Sequence, residues 1–291
     1  MGMPTANRRK ELPAYGGQRV KFMPKSAPPL PLWALARIER YATAADTPPA
    51  MRNAASATLF LVYGCCRAEQ AQNMQVYGIA HGCIWGQVNI EKGKAKRPRP
   101  FWAALHGFFG REWWDTLIQT LDGVLQGGFV FREYSGDPLS QSARPDPACL
   151  AEDAITPRIR LLLREACGMS KDEAGQYTQH SARHCLPASS AVRGEGFQRQ
   201  VEVGRWAGGT FDPSDLFGDE FTRAKMAMRV AEMPIRYTAR LRPQRLASIM
   251  AQQTAAFREL LASCDHDVER LPRNAEGYSL LPKYDPERDG L

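Results

Sequence analysis

Gln176-Tyr177-Thr178-Gln179-His180-Ser181-Ala182-Arg183-His184-Cys185-Leu186-Pro187 is the stretch around which the chain is organised, and it holds two of the five histidines of the protein. On a helix a residue and its third neighbour share one face, so His180 and Arg183 can present a proton-transfer group and a fixed cation to a single oxyanion. Such a pair suits phosphoryl chemistry. A guanidinium grips a phosphate through two parallel hydrogen bonds and stays charged, while an imidazole exchanges a proton near neutral pH. The same residues also read as a half-buried helix start whose His and Arg satisfy local carbonyls. The stretch alone leaves both readings open.

Working outward, charge is distributed unevenly. Residues 1 to 100 carry 15 Lys and Arg against 5 Asp and Glu, a net of +10, whereas residues 265 to 291 carry 4 against 7, a net of −3. A basic half favours a polyanionic partner, with a merely solvated surface as the alternative. No apolar run reaches the roughly 18 to 20 residues of a membrane span, and the basic, Pro-rich N-terminus lacks a signal-peptide core, so no membrane partner and an intracellular location are expected. The seven cysteines are scattered and form no C-x-x-C pair, which fits reduced thiols better than a disulfide framework or a zinc site. No nucleotide-binding G-x-x-x-x-G-K-[S/T] and no internal repeat are present.

Local patterns predict mostly helices. Residues 1 to 29, with Arg8-Arg9-Lys10 and Pro28-Pro29, read as a flexible basic tail. Helices are expected over about 31 to 45 and 49 to 63, separated by Pro48-Pro49, and the second delivers the chain to Gly64 and Arg67. Ile84 to Ile90 alternates like a strand and leads into the basic turn Glu91-Lys92-Gly93-Lys94-Ala95-Lys96-Arg97. A helix around Trp113-Trp114 follows, the tryptophans reading as core rather than as a base-stacking platform. Next come a short strand at Phe129 to Phe131, a loop over 134 to 154, and a helix started by Thr156-Pro157 and ended by Gly168. Arg158, Arg160 and Arg164 are expected on its solvated face.

Tyr63-Gly64-Cys65-Cys66-Arg67-Ala68-Glu69 resembles the first-arginine box T-G-x-R-x-x-E of tyrosine recombinases, the phage integrase family, with Glu69 two places after Arg67 instead of three. His180-Ser-Ala-Arg183-His184 is similar to that family's H-x-x-R-H box, and Gly204-Arg205-Trp206 to the glycine-led box that follows. The ordered set covers roughly residues 50 to 245. Gly-Arg-Trp at this place looks like the eukaryotic DIRS-type and crypton-like branch. The resemblance implies a mainly α domain with a small antiparallel β-sheet (α+β), spanning 30 to 262 as a DNA breaking-rejoining domain, with 263 to 291 as an acidic C-terminal tail.

It also implies roles. Arg67, Arg183 and Arg205 would stabilise charge on the non-bridging phosphate oxygens, with His180 aiding proton transfer and His184 and Trp206 as secondary candidates. The family's acid-donating lysine lies on a β-hairpin eight places before a proline, and Lys92 lies eight before Pro100, with Lys94 next in line. Lys94, Lys96, Arg97 and Arg99 would touch DNA backbone phosphates. The nucleophile is expected at Tyr237, the first tyrosine after the third box, flanked by Arg236 and Arg240, although the usual spacing from Arg205 reaches Ser214. No cofactor is expected. The implied partner is double-stranded DNA, bound by an oligomer such as a tetramer, in the nucleus if the source is eukaryotic. The 48 residues ahead of the second helix are too few for the DNA-clasping domain usual in the family, so a truncated copy or a partner chain is expected. Competing readings are a type IB topoisomerase-like activity and a DNA-binding relic without chemistry.

Overall fold

The computed structural model describes residues 27–88, 99–121, 130–196, 199–200, 203 and 243–289. Its architecture is helices packed around one central helix, with two small antiparallel sheets, which agrees with the expected α+β class.

The central element is α2 (Pro49–Tyr63), which has Pro at its first position, where a missing N–H costs nothing. Nearly every side chain from Ala50 to Tyr63 is buried, as expected for a helix apolar on all sides. Packed around it are α1 (Leu32–Thr43), α4 (Glu112–Thr120), α5 (Glu152–Cys167) and α7 (Gln179–Val192). The C-terminal half of α2 is wedged between an aromatic pair and a sheet: Phe60 stacks on Trp114 at 6.1 Å and meets Phe101 edge-on at 5.8 Å, while Tyr63 meets Trp113 at 5.2 Å. Both tryptophans are therefore core, as their sequence context implied.

A carboxylate driven into this core is Glu39 of α1. It accepts hydrogen bonds from Tyr63 Oη (2.7 Å) and from the backbone N–H groups of Phe108 (2.8 Å) and Phe109 (2.9 Å). Burial nonetheless pushes its carboxyl above the usual range, and a Cβ at Gly107 would collide with it. Asn53 plays a similar part in α2, donating to Val130 O and Thr120 Oγ1 and accepting from Arg132 N. Glu39 and Asn53 are thus each partnered inside the core.

The first sheet has the order β1 (Met74–Ala80), β2 (Cys83–Val88), β3 (Arg99–Ala104), all antiparallel, with a bulge between Val76 and Gly78. The residues expected as a strand from 84 to 90 are thus found as Cys83–Val88, pairing with a neighbour on each side. Residues 130–131 do not form the expected strand; the chain enters β4 (Arg132–Ser135) just after them. The expected loop over 134 to 154 contains β5 (Arg144–Cys149), whose partner is β4. Pro145 and Pro147 hid it, since proline is tolerated only on an edge strand.

Helix α5 starts at Glu152, earlier than Thr156-Pro157 suggested. Glu152 and Asp153 in the first turn favour that start through the helix dipole, and Pro157 is carried within the helix. Its end is as expected: Gly168 takes a left-handed φ of 66°, and its N–H bonds Arg164 O at 2.9 Å. Residues 263 to 289 are not a free tail. Val268, Leu271, Tyr278 and Leu281 are buried in the main core, and Tyr278 Oη donates to Leu30 O at 2.8 Å. The acidic composition of that segment concealed an apolar residue every few positions.

Candidate active site

The site is built where α2 ends and α7 begins. After Gly64 the chain turns through Cys65, a non-glycine residue at φ 46°, held by Cys65 N–H to Val62 O and Cys66 N–H to Leu61 O, each 3.0 Å. Arg67 then sits at the N-cap of the short helix α3 (Ala68–Gln72), its backbone N–H bonded to Gln70 Oε1 at 2.9 Å.

The start of α7 is fixed from three sides. Thr178 caps it, its hydroxyl accepting from His180 N–H at 3.2 Å, while Ser181 Oγ accepts from Thr178 N–H at 3.1 Å. The Gln179 N–H donates to Thr156 Oγ1 of α5 at 3.3 Å, so the threonine expected to cap its own helix supports α7 instead, past the short helix α6 (Lys171–Gly175). Arg160, expected on a solvated face, turns to donate to Tyr177 O and Gly175 O, both at 2.9 Å. It braces the turn in front of α7.

Cys65 joins the two halves: its thiol donates to Arg183 O at 3.1 Å across 118 residues of sequence. The first-arginine turn and the His180–Arg183 face are thereby brought together. His180 is exposed and Arg183 half-buried. The guanidinium of Arg67 is pushed below its ordinary pKa, first by partial burial and then by the positive charge of Arg183, with Glu69 opposing. Repulsion of that kind between fixed cations is relieved by an anion lying against both.

His184, one turn further, has Nδ1 2.8 Å from Ala27 O, and its pKa is lowered by burial and by the charges of Arg183 and His180. A neutral ring that donates through Nδ1 to a carbonyl serves the packing of the N-terminal segment more directly than phosphate chemistry. Lys92, Lys94, Lys96 and Arg97 lie in the 89–98 connection between β2 and β3, outside the described residues, as do Arg205, Trp206 and Tyr237. Arg99 opens β3, opposite Val88. Among the described residues no cluster of three or more His, Cys, Asp or Glu forms a metal-ligand set, and no helix is long and apolar enough to cross a membrane.

Arg160 and Cys65 escaped the sequence reading. An arginine aimed at carbonyls near the end of the following helix leaves no local pattern, and a cysteine beside a turn reads as filler. Arg160→Ala should leave the core intact, lowering stability by about 1–3 kcal/mol for the loss of a charged donor to two carbonyls. Backbone amide exchange at residues 175–180 should rise well before exchange in α2. Protection there equal to wild type would show that the turn is held without it.

Comparison of the chain with protein-family models, with curated proteins and with solved structures finds no match.

Proposed function

We propose that the protein cleaves and rejoins DNA through a 3′-phosphotyrosine intermediate, as the resemblance to tyrosine recombinases implies. The observation that carries this reading is the approach of Arg67 to the His180–Arg183 face, held by the Cys65–Arg183 hydrogen bond. The packing of α7 on α2 sets two boxes more than a hundred residues apart in sequence side by side, as two arms of one phosphate site need to be. The antiparallel pairing of β2 with β3 also agrees with a hairpin bearing Lys92.

In the proposed reaction Tyr237 Oη attacks the scissile phosphorus in line with the 5′-oxygen. The P–O5′ bond breaks as the P–Oη bond forms, and Lys92 supplies a proton to the departing 5′-oxygen. Arg67, Arg183 and Arg205 meet the charge that builds on the non-bridging oxygens, and His180 takes up the phenolic proton as the P–Oη bond forms. A phenol with a pKa near 10 needs such a cationic surround to act as a nucleophile. Attack by a free 5′-hydroxyl reverses the step, and the covalent link conserves the bond energy without a nucleotide.

The deciding experiment uses a nicked duplex from which the 5′-fragment is lost after cleavage, trapping the adduct. Wild type should form a covalent protein–DNA band and Tyr237→Phe none, with DNA affinity and melting temperature nearly unchanged. If wild type binds duplex and yet forms no adduct on any substrate, the non-catalytic reading replaces this one; the displaced spacing of Tyr237 is the feature that favours it. Relaxation of supercoiled plasmid by a monomer would instead favour the topoisomerase-like reading.

Binding should be electrostatic in the first instance. With a net +10 over the first hundred residues, affinity for duplex DNA should fall steeply with salt, with a log–log slope of several units. A slope near zero would remove the DNA assignment.

A further inference from the structure

The buried pair Trp113 and Trp114 belongs to the core, yet a second aromatic set lies at the surface of the three-stranded sheet. Tyr77 of β1 is 46% exposed and Trp85 of β2 is 36% exposed, with ring centroids 5.1 Å apart and planes inclined at 62°. Trp85 also stacks at 6.0 Å and 21° on Trp102, its cross-strand partner in β3, which is buried. The three rings form a ladder across the strands, anchored at β3 and open at the β1 edge. Solvent-facing strand positions are usually polar, so large exposed rings on adjacent strands mark a contact surface.

Charge limits what that contact can be. The three strands contain no Asp or Glu, and they lie in the part of the chain with the net +10. A polyanion meets no like charge on these strands, whereas a basic surface would gain nothing there. Beside the rings, Gln87 Nε2 donates to Gln75 Oε1 at 3.3 Å. Flat aromatic faces on strands that carry Arg99 and no acid match the bases and phosphates of an unpaired strand.

We propose that the Tyr77–Trp85 ladder is a stacking platform for the bases of single-stranded nucleic acid. Paired bases in a duplex are stacked on one another and cannot use it, so this site is separate from the phosphate contacts of the proposed reaction and does not require Tyr237. Trp102 backs Trp85 and limits its motion, so the exposed ring meets a base already oriented.

The test is fluorescence anisotropy with the full-length protein and a labelled dT oligonucleotide of about twelve nucleotides, beside the same length of duplex and an oligo-U arm. Tyr77→Ala and Trp85→Ala should each weaken dT binding by about tenfold or more. Tyr77→Phe keeps the ring and should bind as wild type, and duplex affinity should hardly change. Equal effects in the oligo-U arm would assign the site to unpaired strands of either sugar; effects confined to one arm would name the sugar. Melting curves accompany each variant, and if Trp85→Ala fails to fold the Tyr77 pair decides the matter.

Unchanged dT affinity in folded Ala variants would overturn the proposal, as would an equal loss for duplex and single strand, which marks a charge effect only. Two further outcomes also overturn it. One is a dimer in sedimentation that Tyr77→Ala dissolves, making the ladder an interface between copies. The other is Trp85 emission, taken as the difference from Trp85→Phe, shielded from acrylamide in the free protein, meaning the chain covers the ladder itself.

Discussion

Glu195→Ala is expected to lower the unfolding free energy by about 3–5 kcal/mol, the largest loss of any single substitution outside the apolar core. Glu195 is fully buried and its two oxygens accept four hydrogen bonds: Oε1 from Arg193 (3.0 Å) and Gln253 Nε2 (2.6 Å), Oε2 from Ser190 Oγ (2.6 Å) and Arg199 Nε (2.9 Å). Arg193 and Arg199 are themselves 1% and 9% exposed at the side chain, so removing the carboxylate strands two guanidiniums away from water. Arg193 would keep Asp289 at 2.7 Å and Pro282 O at 3.0 Å, which softens the loss without cancelling it. Asp115→Ala serves as the contrast: its pair with Arg111 is nearly half exposed on both sides, and its loss should cost at most about 0.5–1 kcal/mol. Urea denaturation followed by tryptophan fluorescence gives both values. A Glu195 effect no larger than that of Asp115 would mean that water reaches the network.

Arg183→Ala is expected to slow single-turnover adduct formation on the nicked duplex by about 10²–10³-fold, the effect of removing one donor to a developing oxyanion. Arg183 is half-buried, and removing it also removes a repulsion felt by Arg67; melting curves run beside the kinetics separate lost rate from lost fold. Arg183→Lys should recover only part of the rate, because an ammonium keeps the charge and loses the planar, two-pronged grip. Arg67→Ala should give a comparable loss, and the double variant much less than the product of the two, as groups acting on one phosphate do. Wild-type adduct kinetics in Arg183→Ala would move the reaction away from the start of α7, whatever the fate of Tyr237.

Legibility followed the range of the interaction. The bounds of α2 were readable because Pro48-Pro49 and Gly64 punctuate an unbroken apolar run, and the end of α5 because only glycine takes φ 66° at no steric cost. The sharing of one helix face by His180 and Arg183 needed only the helical period. Strand β5 was missed because its prolines argue against a strand, and the edge position that tolerates them exists only once β4 is beside it. The start of α5 was misplaced for a related reason. Local capping rules favoured Thr156, whose hydroxyl is used by the first N–H of α7 instead.

From the sequence by itself came the mostly helical content, the helical run to Arg67, the shared face of His180 and Arg183 and the basic character of the first hundred residues, all set by period, punctuation and charge within short windows. Tertiary structure alone decided that Cys65 reaches Arg183, that Arg160 braces the turn before α7, that Tyr278 bonds Leu30 across 248 residues and that Glu195 gathers two buried arginines. Those contacts depend on which surfaces are removed from water together, and a polar or cysteine side chain carries no local mark of the partner that burial will give it.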